Sequence, residues 1–143
     1  MTIGNILQRK GSSVIAIDSR STVRDAVKTM DIHCIGALVI QGSVEACNGI
    51  FTERDVMRAL AARDALILGD PIENHMTERP QSISSDTQVE EAMEIMTERR
   101  FRHLPVVQND RLSGIVSIGD LVNYRIRQTE REAEALKSYI RGG

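Results

Sequence analysis

The chain contains the same motif twice, and this duplication constrains its fold more than any other feature. Segments 49–55 (GIFTERD) and 114–120 (GIVSIGD) both read glycine, two apolar residues, a hydroxyl residue, two variable residues and aspartate. Upstream apolar residues repeat at a constant separation of 66 residues: Val23 with Val89, Ala26 with Ala92, Met30 with Met96, and Leu38 with Leu104. A period of this length indicates a duplicated structural unit.

Each copy predicts the order strand, helix, strand, strand, helix, which belongs to the α+β class. In the first half, apolar runs at 14–17, 36–40 and 50–51 predict strands, with a turn region around 41–43 and 47–49. Apolar spacings of three and four residues predict helices, the first capped by Ser21 or Thr22 and the second by Thr52. The second half repeats this order, with strands near 83, at 104–107 and at 112–116, and helices over 87–96 and from 117.

The two halves are expected to share one core, because about 65 residues bury little surface alone. We predict a first unit at residues 1–66, a second at 67–127, and a helical extension at 128–143. Residues 61–71 are predicted to connect the units. Even the lead-in to each half is copied, at a separation of 69 residues: Ile3, Asn5 and Leu7 correspond to Ile72, Asn74 and Met76.

The last helix is predicted to be long. Its apolar and small residues alternate steps of four and three, a pattern suited to packing against another helix: Val122, Ile126, Thr129, Ala133, Leu136 and Ile140. This stripe either covers the core of its own chain or contacts a second subunit, and the sequence leaves both interpretations open.

Composition limits the possible classes of function. The chain has 143 residues, 41% hydrophobic and 27% charged, which is typical of a compact globular protein without a membrane span. A net charge of −2 and 3% aromatic residues argue against nucleic acid as the partner. The first residues lack the basic and apolar regions of a signal peptide, which predicts a cytoplasmic location. Cys34 and Cys47, outside any CxxC pair, fit that compartment as two thiols.

The repeated motif has a structural and a functional interpretation. A hydroxyl residue followed three positions later by Asp at a helix N-terminus is a common capping arrangement that satisfies backbone N–H groups. The same helix N-terminus also offers N–H groups and partial positive charge to a phosphate, while a carboxylate can hold a sugar diol. The second interpretation predicts nucleotide binding.

On these features the sequence resembles a tandem pair of cystathionine-beta-synthase-type (CBS) domains, also called a Bateman module. The resemblance rests on the element order, the two glycine-to-aspartate blocks, and the segments 52–55 (TERD) and 102–107 (RHLPVV). It implies a pseudo-twofold pair with two clefts that bind AMP, ADP or ATP, or else NAD or S-adenosylmethionine. It also implies a regulatory sensor that acts through a homodimer or an effector protein.

The resemblance implies site residues as well. Asp55 and Asp120 would hold ribose, and the ribose or phosphate contacts would come from Thr52, Ser117, Arg54, Arg102 and His103. The adenine pockets would be formed by Val14, Ile15, Ile35, Gly36 and Ala37 in one cleft, and by Ile83, Phe101 and Leu104 in the other. The clefts differ, since Gly36 and Ala37 stand where the second half has Arg102 and His103. Arg54, Arg102 and His103 are expected to converge on phosphates from both sides.

Nothing in the sequence predicts an enzyme. GxSxG, Walker and HExxH motifs are missing, and Asp55 and Asp120 are equivalent copies rather than a divided acid and base. His33 and His75 have no partners at ligand spacing, so we expect neither a metal site nor a catalytic cofactor. A structural dimerisation module with empty clefts and a nucleic-acid binder remain alternatives to the sensor.

Overall fold

The computed structural model describes residues 1–11, 13–42 and 49–142. A lead-in helix comes first, and the first half then has the predicted element order. Cys47 and most of the turn predicted between the two strands of this half lie outside the described residues. The elements in chain order are α1 (Ile3–Lys10), β1 (Ala16–Asp18), α2 (Val23–His33), β2 (Ala37–Gln41), β3 (Gly49–Thr52) and α3 (Glu53–Arg63).

The second half repeats this order with one difference. The strand predicted near residue 83 is reduced to a single bridge, in which Ile83 pairs in parallel with Val106. Asn109 and Asp110 form the turn between the two predicted strands at 104–107 and 112–116, with φ of 51° and 59°, the left-handed conformation that a tight hairpin requires. The elements are β4 (Thr77–Glu78), α4 (Val89–Arg99), β5 (His103–Gln108), β6 (Arg111–Ser117) and α5 (Ile118–Gly142).

The described strands form two sheets, and the sheet of the first half includes β4 from the lead-in of the second half. Strands β1, β2, β3 and β4 are neighbours in that order, with β1 parallel to β2 and the other pairs antiparallel. Strands β5 and β6 form an antiparallel hairpin. The result is a mixed α+β architecture with a long C-terminal helix, as predicted.

The two lead-in segments are exchanged between the halves. Ile3 and Leu7 of α1 are buried in the core of the second half, where the amide of Ile3 donates to the carbonyl of Thr87 (2.9 Å). Ile72, the counterpart of Ile3, is buried in the core of the first half, and its amide donates to the carbonyl of Ser21 (2.7 Å). The halves are therefore tied together by reciprocal packing as well as by the connecting chain.

The ends of the helices explain why the two copies fold alike. The Thr22 hydroxyl accepts from the amide of Asp25 and caps α2, as predicted. Helices α2 and α4 end at Cys34 and Arg100, which are 66 residues apart and share a left-handed backbone (φ 53° and 58°). The amides of Ile35 and Phe101 then bond back to the carbonyls of Met30 and Met96 (3.0 and 3.1 Å).

Some predictions about packing were wrong. The segment predicted to connect the units, residues 61–71, includes the end of α3 and a 3-10 helix at Asp64–Gly69, another 3-10 helix follows at Ile72–Asn74, and Ile67 and Ile72 are fully buried. Met57 and Leu60 follow an apolar helical spacing that predicts core positions for them, but both are exposed on α3. The stripe of α5 does not cover its own core, since all six of its residues are exposed. Among the described residues, no helix combines the length and apolarity that crossing a bilayer requires.

Candidate functional site

A cleft of about 490 Å³ lies between the two halves, within the size range of small-molecule sites. The N-terminus of α3 and the loop between α4 and β5 form opposite walls. Several predicted site residues line it: Gly36, Thr52, Arg54, Asp55, Phe101, Arg102, His103 and Ser117. Residues from both halves therefore meet at one place, where Gly36 and Phe101, predicted for different clefts, lie together.

The first motif copy is a capping box at the entrance to α3. The amide of Thr52 donates to Asp55 Oδ2 (2.9 Å), and the amide of Asp55 donates to Thr52 Oγ1 (3.4 Å). The other carboxylate oxygen accepts from the Thr77 hydroxyl (3.3 Å), which belongs to the lead-in of the second half. Asp55 is 7% exposed, and its described hydrogen-bond partners are all uncharged groups at or beside the helix N-terminus.

The second motif copy has the same cap and a different outer partner. The amide of Ser117 donates to Asp120 Oδ2 (2.8 Å), and the amide of Asp120 donates to Ser117 Oγ (3.1 Å). The Lys10 ammonium, at the end of α1, also donates to Asp120 Oδ2 (2.6 Å). Burial raises the pKa of Asp120, but the hydrogen bonds from Lys10 and Ser117 more than offset this, and the pKa lies below its usual 3.8.

Positive charge dominates the cleft wall. The arginines among its described lining residues are Arg54, Arg58, Arg99, Arg100 and Arg102, whereas its carboxylates are Glu53 and Asp55. Arg54 Nη1 donates to the carbonyl oxygen of Arg100 (2.5 Å), so this side chain reaches from one half to the other. The left-handed backbone of Arg100 is thus part of the contact between the halves.

His103 lies where the two halves approach each other. Burial lowers the pKa of His103 below 6.5, although Glu53 and Asp120 partly oppose this effect. The imidazole is therefore neutral at pH 7 and offers one donor and one acceptor. A Cβ atom added to Gly36 would lie 3.3 Å from His103 Cε1 and 2.5 Å from Glu53 Oε1, so the glycine lets these two side chains pack closely against the backbone.

The other predicted site residues do not line this cleft. Asp120 is not among its described lining residues, and neither are the predicted adenine contacts Val14, Ile15, Ile35, Ala37, Ile83 and Leu104. Leu104 is fully buried in the core of the second half, and Ile83 is nearly so. Their roles in a second cleft, like the ribose roles of both aspartates, stay predictions.

The sequence analysis missed several groups that shape the site. Lys10 and Thr77 contact the two aspartates through the exchanged lead-ins, which no local motif reveals. Arg58 and Met57 also line the cleft. Arg58 lies four residues after Arg54, about one helical turn, so this spacing provided a signal for Arg58. Within the described part of the chain, no three His, Cys, Asp or Glu residues are grouped as metal ligands would be.

A duplicated α+β unit whose helix N-termini face a shared cleft defines a class of paired-domain modules. Residues 4–62 and 72–127 each match the CBS domain, and the chain therefore belongs to the CBS-domain family. The resemblance recognised in the sequence is confirmed.

Similar proteins include a plant relative and solved structures. The chain is 35% identical over 150 residues to the mitochondrial CBS domain-containing protein CBSX3 of Arabidopsis thaliana, covering 99% of this chain and 73% of that protein. It superposes on the CBS-domain protein ATU1752 of Agrobacterium tumefaciens with a TM-score of 0.84 and 38% identity, over 87% of this chain and 99% of that one. It also matches the CBS domain pair of protein MJ0100, solved with 5′-methylthioadenosine and S-adenosylmethionine (TM-score 0.78, 25% identity, 90% and 98% covered).

Proposed function

We propose that this chain is a regulatory module that binds an adenine nucleotide, AMP, ADP or ATP, in the cleft between its halves. The observation that carries the proposal is the convergence of arginines from both halves around a helix N-terminus. Guanidinium groups and helix N-termini are both favourable partners for phosphate. The adenosine derivatives bound by the MJ0100 pair support the adenosine part of the ligand.

Charge favours a phosphorylated ligand over the alternatives. S-adenosylmethionine carries a positive sulfonium, and 5′-methylthioadenosine carries no phosphate, so neither complements a cleft rich in arginine. NAD has a diphosphate and is the second candidate for the same reason. We therefore expect affinity to increase with the number of phosphates.

Within this proposal, different lining residues contact the phosphate, the ribose and the adenine. Arg54, Arg102 and His103 contact phosphate, and Thr52 and Ser117 contact ribose or phosphate. Asp55 holds the ribose hydroxyls by giving up part of its hydrogen bonding to Thr52. Gly36 and Phe101, which both line the cleft, flank the adenine.

Binding regulates something only if the ligand favours one conformation over another. Arg54 is placed to couple ligand binding to the packing of the halves, since it contacts the second half through Arg100 and also lines the cleft. We propose that a phosphate competes for Arg54 and changes how the halves pack. The change is then read by a second copy of the chain, as a homodimer, or by an effector protein. The proposed role is binding without catalysis, and the proposed location is the cytoplasm.

A ligand panel on full-length protein tests this proposal. Thermal shift and calorimetry with ATP, ADP, AMP, NAD and S-adenosylmethionine should show stabilisation that is greatest for ATP. At 100 times Kd, a ligand stabilises by about 2.7 kcal/mol. Arg54→Ala and Arg102→Ala should each weaken ATP binding roughly 10- to 150-fold, the cost of one charge-assisted hydrogen bond.

Arg24→Ala provides the matched control, because Arg24 is an exposed arginine of α2 outside the cleft lining. It should bind ATP like the parent. If no ligand stabilises the chain, the structural dimerisation module is the better interpretation. Salt-dependent binding of RNA or DNA would favour the nucleic-acid alternative instead.

A further inference from the structure

Helix α5 has two different apolar faces. Leu121 and Tyr124, in its first two turns, are buried against the core of the second half. A second face begins one residue later and continues to the end of the helix. Its large apolar residues are exposed to 42% at Val122, 51% at Ile126, 61% at Leu136 and 72% at Ile140.

The second face has the spacing of a coiled-coil seam. Steps of four and three residues place Ile126, Ala133 and Ile140 at heptad position a, and Val122, Thr129 and Leu136 at position d. No described residue of the chain buries this seam. Apart from Thr129, every a and d position carries an apolar side chain, as the seam of a coiled coil requires.

We propose that α5 pairs in parallel with α5 of a second copy of this chain, forming a two-stranded coiled coil over residues 122–140. This inference rests on the second-copy step of the proposed function and specifies its geometry. Both globular parts then lie at the same end of the coil. The partner is identical, so the contact is symmetric and closes as a dimer.

Charges beside the seam select the parallel orientation. In a parallel pair, position g faces position e of the next heptad, which brings Arg125 opposite Glu130 of the other copy and Glu132 opposite Lys137. Both contacts are attractive. Arg125 also contacts Glu90 of its own chain (3.2 Å), but its guanidinium has further donors to offer.

An antiparallel pair of α5 helices is unfavourable if the two helices cover each other's seam over its full length. Pairing Ile126 with Leu136 and Val122 with Ile140 brings each glutamate, Glu130 and Glu132, opposite its own copy. Both contacts then repel, so the antiparallel arrangement must shift along the helix and leave part of the seam exposed.

A charge exchange distinguishes the two orientations. Sedimentation equilibrium of the full chain should show a dimer. Glu132→Lys should weaken it roughly tenfold by placing two lysines together, and the double variant Glu132→Lys/Lys137→Glu should restore it to within about threefold. In an antiparallel pair the double variant would keep lysine opposite lysine, and an unrestored dimer would overturn the proposal.

Seam variants test the surface itself. Leu136→Lys should produce a monomer, whereas Ser138→Lys adds the same charge to another face of the same helix and should remain a dimer. A dimer that survives Leu136→Lys, or a parent chain that is monomeric, overturns the pairing. ATP binding measured on the same proteins separates the two proposals, because a dimer that binds no nucleotide contradicts the proposed function alone.

Discussion

The N-termini of α3 and α5 begin with the same cap and end in different electrostatic environments. The amide-to-carboxylate distances are 2.9 Å at Thr52 and 2.8 Å at Ser117, so the local geometry is repeated closely. The outer donor is a hydroxyl, Thr77, at Asp55, and an ammonium, Lys10, at Asp120. Each donor comes from the lead-in of the other half.

This difference shows how a duplicated site can diverge without any change in its own motif. At Asp120 the lysine already neutralises the carboxylate, and a sugar there must displace a cation. At Asp55 a ligand competes only with hydroxyl and amide donors. The first copy is therefore the better candidate for the proposed binding site, and its position in the arginine-lined cleft agrees with this.

The glycines that open the two motifs should respond very differently to substitution. A Cβ atom at Gly49 would lie 2.8 Å from the backbone oxygen of Thr77, which cannot move easily, whereas at Gly114 it would meet only the Leu7 side chain (2.9 Å). We expect Gly49→Ala to lower the free energy of unfolding by about 3 kcal/mol and Gly114→Ala by about 1 kcal/mol. Urea denaturation measures both free energies of unfolding. Equal losses would mean that the backbone at Thr77 and the side chain of Leu7 move aside equally easily.

Replacing the two aspartates should also destabilise the first copy more than the second, with smaller losses of unfolding free energy. Asp55→Ala loses a cap and leaves buried donors unsatisfied, so we expect it to lower the unfolding free energy by about 2 kcal/mol. Asp120→Ala acts at a more exposed position and should lower it by about 1 kcal/mol. Thermal denaturation without ligand provides the measurement. A greater loss at Asp120 would reverse the comparison.

Ligand binding should depend on pH through His103. Its pKa is lowered in the unliganded protein, and a bound phosphate raises it, so binding takes up a proton. Affinity for AMP should therefore increase as pH falls from 8 to 6, by less than about tenfold, equivalent to one pKa unit. His103→Gln should remove this increase relative to the parent, because titration of the ligand's own phosphate is common to both proteins. If the affinities of the parent and of His103→Gln changed with pH in the same way, His103 would not contact the phosphate.

The smallest expected effect concerns the ion pair of the second copy. The lowered pKa of Asp120 stabilises the fold at neutral pH, and this stabilisation is lost as pH falls below 3.8 and through the folded-state value. Lys10→Met should reduce stability at pH 7 by up to about 1 kcal/mol and have a smaller effect at pH 2.5. Urea midpoints at the two pH values test this. A difference that does not change with pH would assign the loss to packing of the Lys10 side chain.

Much of the fold follows from the sequence because its signals are local and occur twice. Apolar periodicity located α2 and α4, and the hydroxyl-to-aspartate spacing located the caps of α3 and α5. Near residue 83 the signal was weak, with polar residues on both sides of Ile83, and a single bridge formed instead of a strand. Met57 satisfied a helical pattern but faces the cleft, since periodicity alone does not reveal what lies opposite a helix.

The candidate site was only partly predictable. Arg54, Arg102 and His103 were expected to converge, and they do line one cleft. Lys10 and Thr77 were not foreseen, because their contacts depend on the exchange of the lead-ins, over 110 residues of sequence for Lys10 and 22 for Thr77. Contacts between distant segments are a property of tertiary packing, which a motif does not encode.

Helix α1 completes the core of the second half, and the segment around Ile72 completes the core of the first. If the chain were cut into its two repeats, each fragment would therefore lack core residues that lie in the other fragment. Deleting the first ten residues should thus unfold the distant repeat before the adjacent one. It also follows that, during synthesis, α1 has no complete docking surface until the end of the second repeat leaves the ribosome.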